Sequence, residues 1–260
     1  MTLCFVWRTD NNIHFASDSR LTFGSNGCDA AIKVCRIPFS IYAPAFAGQN
    51  APLITSGELG MAFAGSSVAA LMTKEALAEL VRDLQGAPGY HSLDMDGVAD
   101  VMFRGFSVIT REIGQALFER VATTIVFAGY CISRHDLRVF RMTVDAQNAL
   151  SLNEISLNVG DVEIFGSGTA AAKQRLTASP TSKEILQTLQ AVIDDPSFSE
   201  VGGNIQYGYF NGTHFSTKGI AKINVDGNFG YWRGPLDMNG KDFDQASGLV
   251  PRFACIDPFE

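Results

Sequence analysis

The opening residues constrain the fold more than any other part of this chain. Residues 3–8 and 13–17 are short runs rich in strand-favouring side chains, with Thr9-Asp10-Asn11-Asn12 between them. Asp and Asn tolerate the tight backbone of a turn and hydrogen-bond to their own main chain, so the pattern predicts a β-hairpin. Antiparallel pairing then sets Thr2, at the start of the first strand, beside Asp18, at the end of the second.

Thr2 directly follows Met1. Removal of Met1 would leave one residue carrying both a hydroxyl and a free α-amine, a group whose ordinary pKa is about 7.7–8.0. A threonine hydroxyl is a weak nucleophile until a neighbouring base takes its proton, and an N-terminal amine is one such base. Lys33, if close, would favour the neutral amine by like-charge repulsion, and a carboxylate such as Asp18 would hold that lysine in place. Two ordinary readings stand beside this one. Small residues are common at position 2 of proteins, and Asp18 with Lys33 could form a plain ion pair.

Further along, residues 32–42 and 60–64 read as strands, separated by a Pro- and Gly-containing loop over 43–56. After Gly65 the period becomes helical. Val68, Leu71, Met72, Leu77, Leu80, Val81 and Leu84 are expected on one inward face, with Gly86 as the stop. A second helix over 97–117, entered through 91–96, turns Val98, Val101, Met102, Phe106, Ile109, Ile113 and Leu117 inward. Strands follow at 123–133, 137–143 and 162–165, the last running into Gly166-Ser167-Gly168 and a short helix over 170–176. Thr181-Ser182-Lys183-Glu184 is a capping-box pattern, opening a helix that Pro196 closes. Its inward positions are Ile185, Leu189, Val192 and Ile193, and the final strands fall at 204–210 and 219–225 with a turn near Asn211-Gly212.

Strands and paired helices therefore alternate in blocks. That order predicts an α+β fold, two antiparallel sheets flanked on their outer faces by helix pairs in a four-layer αββα sandwich. No repeat or linker interrupts it, so residues 1–234 are expected to form one domain and 235–260 an irregular C-terminal tail.

Composition narrows the function classes. A 260-residue chain that is 46% hydrophobic and 18% charged suits a substantial core. A net charge of −7, with no cluster of Lys and Arg, argues against nucleic acid as a partner. Apolar stretches are broken well short of a membrane span, and Arg8 and Asp10 interrupt the start before a secretory signal could form, so a cytoplasmic protein is expected. The five cysteines include no Cys-x-x-Cys pair, and the four histidines are dispersed. Neither a metal nor a cofactor is expected.

Taken together, Thr2, the Ala16-Ser17-Asp18-Ser19-Arg20-Leu21-Thr22 stretch, Gly24, Lys33 and Ala64-Gly65-Ser66 resemble the proteasome β-type peptidases of the N-terminal nucleophile hydrolases. The style is that of bacterial proteasome-like proteins, including the ancestral β-subunit group. The resemblance is strongest over the first third of the chain. It implies the four-layer sandwich and a threonine-type endopeptidase, in which Thr2 attacks the scissile carbonyl, Lys33 assists loss of the hydroxyl proton and Asp18 orients Lys33. It further implies that the Gly65 backbone N–H stabilises the oxyanion and that Ser167 hydrogen-bonds near the nucleophile's amine. Leu21, Ala31 and Phe63 match positions lining the primary specificity pocket and are all apolar, which implies a hydrophobic residue before the scissile bond. Arg20 is expected to brace the Asp18 turn.

The resemblance also has gaps. The family often carries Asp, then Ser three residues later, then two glycines; here Gly202-Gly203 are present, but Phe198 and Val201 occupy the other two places. Asp194 and Ser197 have the mutual spacing but lie upstream, so neither is assigned a role. The implied partners are peptides or unfolded chains as substrate and further copies of the chain in a homo-oligomer, with no ATPase specified. Two other functions remain open: a small-molecule amidohydrolase of the same superfamily, and an inactive scaffold subunit in which a retained Met1 blocks the amine.

Overall fold

The N-terminal hairpin forms as its turn chemistry requires. Strands β1 (Leu3–Thr9) and β2 (Asn12–Ser17) pair antiparallel, with Cys4 opposite Ser17 and Thr9 opposite Asn12. The computed structural model describes residues 2–10, 12–23, 26–45, 50–87, 94–117, 122–223, 229–233, 236–237 and 254–258. Gly24, the first part of the helix entry at 91–93 and most of the expected tail lie outside these residues.

The remaining elements follow in chain order. They are β3 (Leu21–Phe23), β4 (Asn26–Cys28), β5 (Val34–Tyr42), β6 (Leu53–Gly65), α1 (Ser67–Val81), β7 (Leu84–Gln85), α2 (Met95–Leu117), β8 (Thr123–Cys131) and β9 (Asp136–Val144). Next come β10 (Leu150–Ile155), β11 (Val162–Gly166), α3 (Thr169–Arg175), α4 (Ser182–Ile193), β12 (Gln206–Asn211) and β13 (His214–Ile223). The last are β14 (Phe229–Arg233), β15 (Leu236–Asp237) and β16 (Cys255–Ile256). Among the described residues this is a mixed, sheet-rich α+β fold with four helices. Two short pairings fall inside the segment read as a tail: β15 on β14, and β16 parallel to β13.

Contacts divide the chain into two units, the first comprising Met1–Cys35, Leu157–Tyr209 and Ser216–Glu260, the second Arg36–Ser156 and Phe210–Phe215. In the first, the strand order is β11-β1-β2-β12-β13-β14-β15. Leu3, Phe5 and Trp7 alternate along β1 and pack with Ala171 and Ala172 of α3 and Ile185, Leu186, Leu189 and Val192 of α4. The Thr181 capping box is complete: the Thr181 hydroxyl accepts from the Glu184 N–H, and the Glu184 carboxylate accepts from the Thr181 N–H.

The second unit holds the sheet β10-β9-β8-β6-β5-β7. Along α2, Val98, Met102, Phe106 and Ile113 are buried as the helical period predicts. The expected face of α1 is corrected. Ala69, Ala70, Thr73, Leu77 and Val81 are buried, whereas Val68, Met72 and Leu80 are 39%, 55% and 42% exposed. Residues 68–72 are all apolar, so the sequence offers more than one stripe, and the small alanines let this side approach most closely. The helix also ends before Gly86. Leu84 pairs with Ile41 and the Gly86 N–H donates to Tyr42 O at 2.8 Å, so the residues after Val81 complete a sheet edge.

A buried aromatic stack ties β1, β2 and β12 together. The His14 ring lies 5.1 Å from Trp7 and 5.9 Å from Tyr209, both stacked. Its Nδ1 is 2.8 Å from the Tyr207 hydroxyl and its Nε2 is 2.8 Å from the Thr9 hydroxyl, which satisfies a neutral imidazole at both nitrogens. Burial pushes the His14 pKa down to about 4. An unfolded histidine titrates at about 6.5, so the unfolded chain binds this proton first. The stabilisation is therefore complete above the unfolded value and is lost as pH falls toward the folded one. The expected loss, about 3 kcal/mol, is read as the difference between urea-unfolding free energies of the wild type and His14→Phe from pH 7 to 4. A wild-type curve parallel to the variant's would refute it.

Candidate active site

Asp18 follows the last residue of β2 and is fully buried, as is Lys33, which precedes β5. A buried carboxylate must have its acceptor sites filled or its charge becomes costly. Here Asp18 Oδ1 accepts from the Leu3 N–H at 3.0 Å and from Lys33 Nζ at 2.9 Å. Its Oδ2 accepts from the N–H groups of Arg20 and Gly202, each at 3.1 Å. Four donors thus surround one carboxylate. Lys33 Nζ also donates to Thr2 Oγ1 at 2.8 Å, so the three side chains form a continuous row, Asp18–Lys33–Thr2. Thr2 is itself buried.

The segment 199–204 closes over this row. Ser19 N–H donates to Gly202 O at 3.1 Å, and Asn204 N–H donates to Ser19 Oγ at 2.9 Å. Gly203 has φ +77, and a Cβ there would overlap the Ser19 hydroxyl, so this position needs glycine for both conformation and space. A Cβ on Gly202 would strike the Arg20 guanidinium. That guanidinium forms a fork on Asp29, at 2.6 and 2.9 Å, and donates to Ser199 O at 3.2 Å. Arg20 therefore touches Asp18 through its backbone, while its side chain ties the turn to the 199–204 segment.

The other expected site residues are placed as follows. Ser167 follows β11, and its hydroxyl is 3.5 Å from the Thr2 carbonyl oxygen, longer than an ordinary O–H···O bond. Leu21 and Ala31 belong to the first unit and are buried. Phe63 and Gly65 belong to the second unit, at the end of β6. Gly65 has φ +114, and a Cβ there would overlap the Ala122 carbonyl, which accounts for glycine on backbone grounds alone. Asp194 accepts from Gln190, and Ser197 donates to Asp195.

Two neighbours were not legible as site residues. Gln206, opposite Ser17 on β12, is buried against the Lys33 backbone. Cys4 donates to Ser17 Oγ at 3.2 Å, and burial pushes its thiol up to about 12, so it stays neutral and is no rival nucleophile. Among the described residues, no group of His, Cys, Asp and Glu is arranged to hold a metal ion. No helix there is long and apolar enough to cross a membrane.

No known family's sequence profile matches this chain, and no curated protein does. Its structure is similar to solved structures of Anbu proteins. Anbu (ancestral β-subunit) from Yersinia bercovieri has a TM-score of 0.58 at 15% identity, over 83% of this chain and 87% of that one. A Gly-1 mutant of Anbu from Hyphomicrobium sp. strain MC1 has a TM-score of 0.59 at 14% identity, over 97% and 99%. The Anbu complex from Pseudomonas aeruginosa, solved as a helical assembly, has a TM-score of 0.55 at 12% identity, over 83% and 85%. Such identities show likeness of fold alone. Anbu is proteasome-related but a distinct family, so the assignment to proteasome β-type peptidases is corrected to a fold shared with Anbu.

The ion pair makes a direct prediction about stability. Asp18→Asn leaves the Lys33 ammonium buried without its counter-charge, and a loss of about 3–5 kcal/mol is expected in chemical denaturation. Combining it with Lys33→Met should recover part of that loss; a double variant no more stable than Asp18→Asn would count against the ion pair as the cause.

Proposed function

We propose that this chain is an N-terminal threonine hydrolase, cutting peptide bonds once Met1 is removed. The observation that carries the reading is the buried Lys33 ammonium, 2.8 Å from Thr2 Oγ1 and 2.9 Å from the equally buried Asp18 Oδ1. A strand-start threonine with a solely structural role has no need of a buried ammonium on its hydroxyl.

The chemistry follows from these groups. The free Thr2 amine accepts the Oγ1 proton as that oxygen bonds to the substrate carbonyl carbon, and the carbonyl π pair moves onto its oxygen. Lys33 stabilises the developing negative charge on Oγ1, and Asp18 holds Lys33 in place. Collapse of the tetrahedral species breaks the C–N bond, and the protonated terminus returns its proton to the departing amine. The resulting ester is attacked by water, whose proton passes to the same amine. Release of the carboxylic acid returns that proton to Oγ1. In this scheme Ser167 steadies the Thr2 main chain. Leu21 and Ala31 are apolar, which favours a hydrophobic residue before the cleaved bond.

The remaining parts of the reading rest on likeness. Each unit carries one large sheet and one helix pair, the first also the short β3–β4 sheet, and a four-layer αββα sandwich requires two such large sheets and helix pairs. The helical assembly of the Pseudomonas Anbu complex supports self-association of this chain into a homo-oligomer, and a cytoplasmic location suits peptide or unfolded-protein substrates.

Intact-mass measurement is expected to give a chain beginning at Thr2, with hydrolysis of fluorogenic peptides bearing a hydrophobic residue before the reporter. Thr2→Ala should abolish turnover without changing assembly, and Lys33→Ala should lower kcat by about 10³-fold or more. A retained Met1 would instead favour an inactive scaffold. Turnover of small amides but not peptides would favour a small-molecule amidohydrolase.

A further inference from the structure

The residues just before β5 deliver Lys33 to the site, yet 31–33 lie outside any strand ladder. Their backbone groups need other partners, because buried N–H and C=O groups left unpaired are costly. One side chain supplies two of them and reaches the next residue as well. Gln206 Oε1 accepts from the N–H of Lys33 at 2.8 Å and from the N–H of Val34 at 3.2 Å. Its Nε2 donates to Ala31 O at 2.5 Å and lies 3.5 Å from Asp18 O. Ala31 N–H, in turn, donates to Ser19 O at 3.1 Å. A single amide therefore grips the chain on both sides of Lys33 and reaches the main chain of Asp18. It is only 4% exposed.

We infer that Gln206 is a positioning residue for the hydrolysis proposed above, on which this inference rests: it sets where the Lys33 ammonium stands relative to Thr2 Oγ1. It touches no reacting atom. Its geometry calls for a group that accepts two N–H bonds at one end and donates at the other, and a carboxamide does both without charge. The Lys33 side chain is long, so a small shift of its backbone moves Nζ through a comparable distance. A displacement of about 1 Å in a catalytic group costs on the order of 100-fold in rate.

The test uses two variants. Gln206→Met keeps the volume but neither accepts nor donates. Its kcat per Thr2 site, counted by covalent active-site titration, should fall about 10–100-fold with KM unchanged within about twofold. Gln206→Glu has a built-in pH dependence. When protonated it can accept from the two N–H groups and donate to Ala31 O; when ionised it sets a negative oxygen against that carbonyl. Its kcat per titrated Thr2 site, relative to wild type, should therefore fall as pH rises, whereas a role in folding alone would lower the number of titratable sites and leave the per-site ratio flat. In a crystal structure of Gln206→Met, Lys33 Nζ should have left hydrogen-bond distance of Thr2 Oγ1. An unmoved Lys33 with wild-type turnover per site, or a flat pH ratio for Gln206→Glu, overturns the inference. If wild type is inactive and Lys33 still moves in Gln206→Met, the hydrolase reading fails while the positioning of Lys33 by Gln206 stands.

Discussion

The end of the first hairpin is arranged around one buried ion pair, Asp18 with Lys33. Placing an ammonium and a carboxylate where water cannot reach costs several kcal/mol per ion, and their mutual attraction offsets this only if the remaining bonding capacity is filled. Asp18 meets that condition with main-chain donors from Leu3, Arg20 and Gly202, drawn from three separate stretches of chain, as well as Lys33 itself. The pair can exist only when those stretches have met, so the site and the local fold are made by the same set of bonds.

This explains why the neighbouring residues are so particular. Gly202 and Gly203 let the backbone approach where any side chain would collide with Arg20 or Ser19. The Arg20–Asp29 fork pins that approach from the solvent side, where an ion pair adds little energy but restricts geometry. Cys4 stays a neutral thiol one position along from Leu3, held by burial and by Ser17. The second unit contributes a different economy: its sheet is covered by helices whose small or regularly spaced apolar residues sit against it, and it carries no comparable buried charge pair among the described residues.

How much of this could be read beforehand differs by residue. That Thr2 and Asp18 fall at the same end of the hairpin was legible because pairing converts sequence distance into a fixed register, and Asp-Asn turn chemistry is local; Asp18 itself bonds to Leu3 and reaches Thr2 through Lys33. The helix α4 and its cap were legible for the same reason: Thr181 and Glu184 satisfy each other. The inward face of α1 was not, since five consecutive apolar residues carry no preferred stripe until a sheet selects one. Strands β3, β4 and β10 are too short or too polar to alternate visibly and exist through their partners. Gln206 left no signal at all, because a lone glutamine reads as surface until the strand carrying it is known to lie beside Ser17. The motifs that resemble proteasome β-type peptidases are each short, and at 12–15% identity the likeness to Anbu is one of fold.

Alternation along β1 has one last implication. Leu3, Phe5 and Trp7 are committed to the helix-covered side, so neighbouring positions must point the other way, and the residue ahead of Leu3 alone can present its hydroxyl to Lys33. The sheet thus acts as a ruler for the terminus. Under the proposed mechanism, trimming one residue too many would remove the nucleophile, and a purification tag fused in front would occupy the amine that the mechanism requires.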